Sequence, residues 1–268
     1  MKLLKSYIQT HSGAAIKQLH LFCKTQDEEA LHQFRVNGKK LRAVLQLLLH
    51  LYPENKKLKK LRKGFRIFFR SAGEIREQQL VQQWLKQKRL QQLITTSVSL
   101  KQVPVWQGLF VNEQKDCAEL IQKLADCMKQ LSDDVNEEIV FNYINLLKAT
   151  VIKKLPFAAT DEWHELRKQI KQLLYGYHWL SPAAQLKIFT IAAFKKSDEL
   201  QDQIGQWHDL INYKSWLNTE GFYMNEDAGV QKQFARCYQL LRKEIEKSEI
   251  KLQSSIRQFA KRKTAIKK

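Results

Sequence analysis

The sequence predicts an all-α protein, and three features lead to that prediction. Only nine glycines and four prolines interrupt its 268 residues, a composition that favours helices over a β-sandwich or barrel. Runs of alternating apolar and polar residues, which mark half-buried strands, are few. Hydrophobic residues make up 44% of the chain, which is enough to fill the core of one large domain or two small ones.

The first half of the chain carries the signals of five helices. Thr25 and Glu28 form a capping-box pattern at the start of the second of them. The third follows Pro53, and the fourth starts near Gly73. Residues 94–105, ITTSVSLKQVPV, predict a loop. We therefore expect helices at residues 3–23, 27–51, 54–72, 74–92 and 112–131.

The second half carries a similar series of signals. Pro182 follows Ser181 and suits the first position of a helix. Residues 154–160, KLPFAAT, predict a loop, and Gly205 predicts the start of a further helix. The basic residues 261–268 predict a frayed end. We expect helices at residues 134–153, 161–180, 182–195, 205–218 and 228–262.

A constant shift of 132 residues aligns the two halves of the chain over more than fifty positions without a gap. Such a register predicts a tandem duplication of a helical unit. We expect a single domain over 1–268 with pseudo-symmetric halves at about 1–132 and 133–268, whose equivalent residues are related by an approximate two-fold axis. The identical pairs are His32 and His164, Arg35 and Arg167, Lys39 and Lys171, Leu41 and Leu173, Gly73 and Gly205, Trp84 and Trp216, and Leu85 and Leu217.

The charge of the chain points to a polyanionic partner. It has 46 Lys and Arg against 27 Asp and Glu, a formal net charge of +19 that is spread along the sequence. Most of the folded surface should therefore carry positive potential. Nucleic acid, an anionic membrane surface and a phosphate polymer all fit this charge, which by itself does not separate them.

The cations are arranged as stripes on two predicted helices. At about 100° per residue, the side chains of the first stripe fall within an arc of about 80°. Like charges that converge on one face oppose folding by self-repulsion and suggest a counter-anion. Arginine suits phosphate because its planar fork donates two hydrogen bonds. The first stripe is His32, Arg35, Lys39 and Arg42, and the second is Lys59, Arg62, Lys63, Arg66 and Arg70.

Four short motifs resemble those of the CHAD family, the conserved histidine α-helical domain. HQFRVNGKKLR at 32–42 is similar to the family pattern H-x-x-R-x-x-x-K/R-K/R-L-R. The family's second-half pattern, H-x-x-R-K-x-x-K-x-x-R-Y, is met by His164, Arg167, Lys168, Lys171 and Tyr175. GEIRE at 73–77 and GQWHD at 205–209 resemble the family's G-x-x-R-D turn. The resemblance spans nearly the whole chain. It implies a helical domain of two pseudo-symmetric halves that binds inorganic polyphosphate along a basic channel, often at polyphosphate granules.

Stripes and resemblance together define the candidate site. His32 and His164 are expected to contact phosphate, to hold a carboxylate such as Glu77 or Asp209, or to be ordinary histidines of the core. Glu77, Asp209 and His208 are expected to orient the neighbouring cations. The candidate polyphosphate-binding residues are His32, Arg35, Lys39, Lys40, Arg42, Arg62, Arg66, Arg70, Arg76, His164, Arg167, Lys168 and Lys171.

Three positions depart from the family pattern. Leu174 stands where a second-half Arg is usual, which weakens the case that both halves bind equally. Glu77 replaces an Asp. Gly38 interrupts a helix at a cost of about 1 kcal/mol relative to Ala.

The sequence predicts a binding protein and no enzyme. Neither HxxxH nor HExxH occurs, so no metal is expected, and no cofactor is implied. Glu77 and Asp209 have no accompanying nucleophile or phosphate-cradling glycine loop. The alternative function is a nucleic-acid-associated basic helical protein. Against it, the aromatic residues beside the cations lie on apolar arcs and look like core, whereas single-strand binders expose them: Phe34, Phe65, Phe68 and Phe69.

The expected location is the cytoplasm, with association at polyphosphate granules. The four cysteines form no CxxC pair and lie in predicted helices, which suits reduced thiols. The N-terminal apolar run is too short and interrupted for a signal peptide, and no stretch approaches the length of a membrane span.

Overall fold

The structure, a computed structural model, describes residues 2–225 and 227–264, and all regular elements in those ranges are helical. The all-α prediction is therefore confirmed. Four short 3₁₀ turns lie at Ser132–Asp134, Leu155–Phe157, Thr160–Glu162 and Phe222–Met224. The α-helices are α1 (Lys2–Thr25), α2 (Glu28–Leu51), α3 (Lys56–Gln87), α4 (Gln91–Thr96), α5 (Val98–Asn112), α6 (Gln114–Leu131), α7 (Glu137–Lys154), α8 (Trp163–Tyr177), α9 (Pro182–Ile188), α10 (Ile191–Thr219) and α11 (Ala228–Thr264).

The helices form two compact units, each assembled from separate stretches of chain. Unit 1 comprises the described residues of Met1–Lys88, Ser97–Val140 and Trp179–Ser181. Unit 2 comprises those of Arg89–Thr96, Phe141–His178 and Pro182–Lys268. The duplication and the two-fold relation between halves stay predictions.

In unit 1, α2 lies between α1 and α3, and α6 packs against both α1 and α3. The rings of Phe22, Phe34 and Phe110 meet at centroid distances of 6.1 and 6.0 Å and join α1, α2 and α5. Phe22 and Phe34 are fully buried. Burial of such rings is worth about 1.5–3 kcal/mol each and holds α2 against α1. One face of α2 is thereby committed to the core, and its cationic edge is left beside α3.

In unit 2, α10 packs against α8 on one side and α11 on another. Trp163 of α8 meets Trp207 of α10 edge to face, with ring centroids 5.0 Å apart. The indole Nε1 of Trp207 donates a hydrogen bond to Glu249 of α11 at 3.2 Å. The buried indole thus has a partner for its one polar atom, which removes the cost of burying it.

Two predicted helix boundaries at glycines are wrong. Helix α3 is continuous from Lys56 to Gln87, where we expected separate helices at 54–72 and 74–92. Helix α10 runs from Ile191 to Thr219, so Gly205 lies in its interior, and the helix expected at 182–195 ends at Ile188. In both long helices an arginine from a neighbouring helix packs on the glycine, and the helix continues through it despite a cost of about 1 kcal/mol relative to Ala.

The loop expected at 94–105 is helical. Helix α4 ends at Thr96 and α5 begins at Val98. Ser97 is the N-cap of α5, since its hydroxyl accepts a hydrogen bond from the backbone N–H of Leu100 at 3.0 Å. Leu93 and Leu100 are buried. Serine and threonine here cap and flank short helices, a role that composition does not distinguish from a loop.

The cap of α2 also differs from the prediction. Asp27 is the N-cap, and its carboxylate accepts hydrogen bonds from the backbone of Glu29 and Ala30 at 3.4 and 2.9 Å. Thr25 is the last residue of α1, so the capping-box prediction is wrong. Pro182 is the first residue of α9, as predicted.

The segment 154–160 contains the 3₁₀ turn Leu155–Phe157 between α7 and α8. Of the predicted frayed end, 261–264 are the last residues of α11, and 265–268 lie outside the described residues. All four cysteines are free thiols.

Candidate anion-binding site

Arg35 of α2 is seated on the backbone of α3. Its Nη1 donates a hydrogen bond to the carbonyl oxygen of Phe69 at 3.0 Å. A Cβ atom on Gly73, one turn further along α3, would lie 2.6 Å from the same nitrogen. Glycine therefore provides the space that the guanidinium occupies.

The ring of Phe69 carries two guanidinium groups. The Cζ atoms of Arg35 and Arg42 lie 4.9 and 5.1 Å from its centroid, within the range of cation–π attraction. A Cβ on Gly38 would come within 2.8 Å of the ring. The glycine that looked like a helix defect in α2 thus allows Phe69 to lie against that helix. We call Phe69 the aromatic platform.

Positive charges converge around the platform. Burial, first, and the charges of Arg42 and Arg76 lower the pKa of Arg35 to about 10, against an opposing effect of Glu77. Desolvation by the surrounding protein and then the charge of Arg66 lower the pKa of Arg42, part of whose side chain stays exposed. Both arginines stay protonated at neutral pH, so their positive charges repel each other in the folded protein. An anion bound here would relieve it.

His32 lies beside the same charges. Burial and Arg76, then Lys39 and Arg35, lower its pKa, while Glu29 raises it. The neutral imidazole is therefore favoured at neutral pH.

Arg76 is held close to His32 by partners of its own. It forms an ion pair with Glu28 at 3.8 Å and donates to Gln79 at 3.3 Å. Its positive charge accounts for the second-largest effect on the His32 pKa.

The remaining candidate cations of unit 1 make fewer contacts with the Phe69 platform and its arginines. Within residues 2–225 and 227–264, no carboxylate lies within 4.0 Å of Arg66, which is exposed, while Arg70 pairs with Glu74 at 3.7 Å. Lys40 is half-buried and lies about 160° around α2 from Arg42, away from the platform. Among the described residues, the cations that lie over the Phe69 ring are Arg35 and Arg42 and not Lys40 or Arg62. The structure thus brings together Arg35, Lys39, Arg42, Arg66, Arg76, His32 and Glu77.

In unit 1, Arg35 donates to the backbone carbonyl of Phe69 and occupies the space beside Gly73, an arrangement that we call the arginine seat. Unit 2 contains an arginine seat as well. The Nε of Arg167 donates to the carbonyl oxygen of Gln201 at 3.1 Å. A Cβ on Gly205 would lie 2.5 Å from its Nη2. Gln201 follows Phe69 by 132 residues, so acceptor, glycine and arginine all keep the register of the sequence repeat.

Around this second seat the charges are mixed. Burial and Arg167 lower the pKa of Lys171, whereas Asp202, Asp198 and Asp209 raise it. The side-chain amide of Gln201 donates to Asp198 at 3.0 Å and to Asp202 at 2.6 Å. Three carboxylates therefore act on the cations of unit 2.

The two histidines of unit 2 stack. The rings of His164 and His208 are 4.0 Å apart and inclined by 22°. Burial, His164 and then Arg167 and Lys168 lower the pKa of His208 to about 4. Lys168 is paired with Glu165 at 3.1 Å. His208, expected to orient cations, is thus a neutral ring partner of the motif histidine.

Sequence reasoning missed two features. The sequence places Phe69 in the core, and the ring is indeed only 8% exposed. That the same ring also lies beneath Arg35 and Arg42 depends on the packing of α2 against α3, which the sequence pattern does not show. Asp198 and Asp202 were not singled out. The 132-residue register aligns them with Arg66 and Arg70, so this reversal of charge could have been found.

No group of three or more His, Cys, Asp and Glu side chains in the described part of the chain could hold a metal ion. Among the described helices, none combines the length and apolar character needed to cross a bilayer.

A model of the CHAD domain family matches residues 6–218. The match includes both histidine motifs and both arginine seats, and α11 lies beyond it. No curated protein and no solved structure matches the chain.

Proposed function

The chain belongs to the CHAD domain family, and from this membership we propose that it binds inorganic polyphosphate at a cationic surface of unit 1. This cationic surface consists of Arg35, Lys39 and Arg42 of α2 with Arg66 of α3, and it extends to Arg70, which is exposed one turn further along α3 and pairs with Glu74. The protein acts as a binding module and leaves the polymer chemically unchanged.

One observation carries the proposal: two guanidinium groups, of Arg35 and Arg42, lie on the Phe69 ring about 5 Å from its centroid. Holding like charges together disfavours the folded state unless an anion neutralises them. Arginine forks fixed in orientation match the paired oxygens of successive phosphates. Because part of their conformational freedom is already lost on folding, less is lost on binding.

A phosphate polymer suits this surface better than a nucleic acid. Proteins that bind single strands stack bases on exposed aromatic rings. Here Phe34, Phe65 and Phe69 are buried, and Phe68 is half-buried. The surface supplies charge and forked donors without open ring faces, which a base-free polyanion does not require.

Calorimetric titration of the full chain tests the proposal. Long-chain polyphosphate, a DNA duplex and a single-stranded oligonucleotide are compared at matched phosphate concentration. We expect the tightest binding with polyphosphate. Equal or tighter binding of either oligonucleotide would establish the nucleic-acid alternative.

A pair of matched variants tests the surface. Arg42→Glu with Arg66→Glu reverses two exposed charges of the cationic surface, and Arg236→Glu with Arg242→Glu reverses two exposed arginines of α11, outside the family match. Total charge changes equally. We expect the first variant to lose most of its affinity for polyphosphate. The second should lose little, because salt screens the attraction between the polymer and charges that do not contact it. Equal losses, with both variants folded by circular dichroism, would mean that the protein is a diffuse cation.

Two further parts of the proposal have their own measurements. Incubation with polyphosphate should release no phosphate, because Glu77 and Asp209 are not accompanied by a nucleophile. In cells that form polyphosphate granules, a fluorescent fusion should gather at the granules in the cytoplasm. Phosphate release or a uniform distribution would contradict the respective part.

A further inference from the structure

The two segments related by the 132-residue shift differ in charge. Residues 28–87 contain fourteen Lys and Arg against five Glu, whereas residues 160–219 contain seven Lys and Arg against seven Asp and Glu. The first segment has a formal charge of +9 and the second has none. A polyanion is therefore attracted to the first segment and not, on balance, to the second.

The difference is concentrated at the candidate site. Arg66 and Arg70, both exposed on α3, have Asp198 and Asp202, both exposed on α10, as their counterparts in the register. The counterpart of Arg42 is Leu174, which is buried. Three cations of unit 1 are thus replaced by two anions and an apolar side chain.

The platform is also missing from unit 2. In the register, Phe69 corresponds to Gln201 and Gly38 to Ile170. Gln201 directs its amide to Asp198 and Asp202 at 3.0 and 2.6 Å. An aromatic ring that carries two arginines is thereby exchanged for an amide that holds two carboxylates.

These carboxylates supply in unit 2 the negative charge that an external anion is proposed to supply in unit 1. Burial and Arg167 lower the pKa of Lys171, and the negative charges of Asp202, Asp198 and Asp209 oppose that effect, so part of the positive charge here is offset within the protein. A phosphate approaching Lys171 or Arg167 would meet two exposed negative charges. Unit 2 keeps the arginine seat, which holds α8 to α10, without the excess of positive charge.

We propose that polyphosphate binding is one-sided: unit 1 holds the polymer, and the equivalent surface of unit 2, with Asp198 and Asp202, does not contact it. This inference depends on the proposed function. Each chain then offers one attachment surface. Arg167, Lys168 and Lys171 are structural residues of unit 2, and the identities at positions 66, 70, 198 and 202 decide which side binds.

Neutralising equal numbers of cations in the two units is the first test. Arg42→Gln with Arg66→Gln in unit 1 is compared with Lys168→Gln with Lys171→Gln in unit 2, each removing two charges. In titrations with long-chain polyphosphate, we expect the unit 1 variant to lose affinity about a hundredfold, as for two charge-assisted hydrogen bonds of about tenfold each. The unit 2 variant should change about twofold at most.

The second test transfers the charges of unit 1 to unit 2. Asp198→Arg with Asp202→Arg should raise polyphosphate affinity or the amount bound per chain by about threefold or more, through new charged contacts. Glu119→Arg with Glu246→Arg, at exposed positions on α6 and α11, adds the same charge elsewhere and is the control.

The outcomes separate the two proposals. If the wild-type chain does not bind polyphosphate, the proposed function is wrong. If it binds but the unit 2 neutralisation costs as much as the unit 1 neutralisation, with both variants folded, one-sided binding is wrong and the function stands. A gain with Asp198→Arg and Asp202→Arg no larger than that of the control would also contradict one-sided binding.

Discussion

Arg35 and Gly73 form a seat in which a side chain of one helix rests on the backbone of the next. A Cβ at Gly73 would lie 2.6 Å from the Arg35 Nη1, and that nitrogen donates to the carbonyl of Phe69 one turn earlier. Arg167 and Gly205 show the same relationship, 2.5 Å from Nη2, with the carbonyl of Gln201. The seat fixes the arginine before any ligand arrives, and its surroundings decide whether the charge is available to an anion.

Replacing the glycine of the seat should affect binding more than stability. In Gly73→Ala the new methyl group displaces the Arg35 guanidinium, which is the flexible end of a long side chain. We expect polyphosphate affinity to fall about tenfold, as for the loss of one hydrogen bond to a charged group. Calorimetry gives the affinity and thermal melting the stability.

Gly13→Ala is the matched control, because apart from the adjoining backbone of α1 itself no atom of the described residues lies within 4 Å of its Cβ position. It should stabilise α1 by up to about 1 kcal/mol and leave the affinity unchanged. An unchanged affinity in Gly73→Ala would show that the seat does not orient the binding arginine.

Two phenylalanine variants distinguish the effect of the Phe69 platform on binding from the effect of a buried ring on stability. Phe69→Leu removes the ring under Arg35 and Arg42, and each lost cation–π contact is worth about 0.5–2 kcal/mol. Phe65→Leu, one turn earlier in α3, removes a ring of similar burial, and among the described residues the cation–π contacts of α2 are made with Phe69 and not with Phe65. Both should lose roughly 1–2 kcal/mol of stability, but only Phe69→Leu should also weaken binding severalfold. Equal affinities for polyphosphate would contradict the platform.

Salt should weaken the complex steeply. Each cation that pairs with a phosphate releases a condensed counterion from the polymer, so affinity falls as the salt concentration rises. Arg42→Gln with Arg66→Gln should show a shallower dependence because two such pairs are gone. Titrations at several salt concentrations measure the slopes. An affinity that is independent of salt would argue against electrostatic binding.

Stability should fall in mild acid because of His208. The pKa of this imidazole is about 4 in the folded protein and near 6.5 in an unfolded chain. Between these values the unfolded state binds the additional proton, so stability is lost as the pH falls from about 6.5 to about 4. The limiting slope is about 1.4 kcal/mol per pH unit. The lowered pKa of His32 acts in the same direction.

Melting temperatures at pH 7 and pH 5 test this dependence. His208→Gln has no imidazole to protonate, so its melting temperature should fall less between the two pH values than that of the wild type. The same fall in both proteins would assign the pH dependence to other groups.

Much of the fold was predictable because it depends on neighbours within one helical turn. The stripe of Arg35, Lys39 and Arg42 follows from helical periodicity, and Pro182 marks a helix start through its own geometry. Glycine, in contrast, did not mark the ends of the helices correctly. At Gly73 and Gly205 the local cost of about 1 kcal/mol predicted a boundary, yet both helices continue.

The candidate site was predictable as a set of cations and unpredictable as an arrangement. Sequence alone determined that the protein is helical, strongly basic, and repeats a histidine–arginine motif after 132 residues. Only the tertiary structure decided that α3 and α10 pass through their glycines, that Phe69 supports Arg35 and Arg42, and that Asp198 and Asp202 act on Lys171. The reason is physical: periodicity and capping act between residues a few positions apart, whereas these contacts join residues about thirty positions apart, which meet only when helices pack.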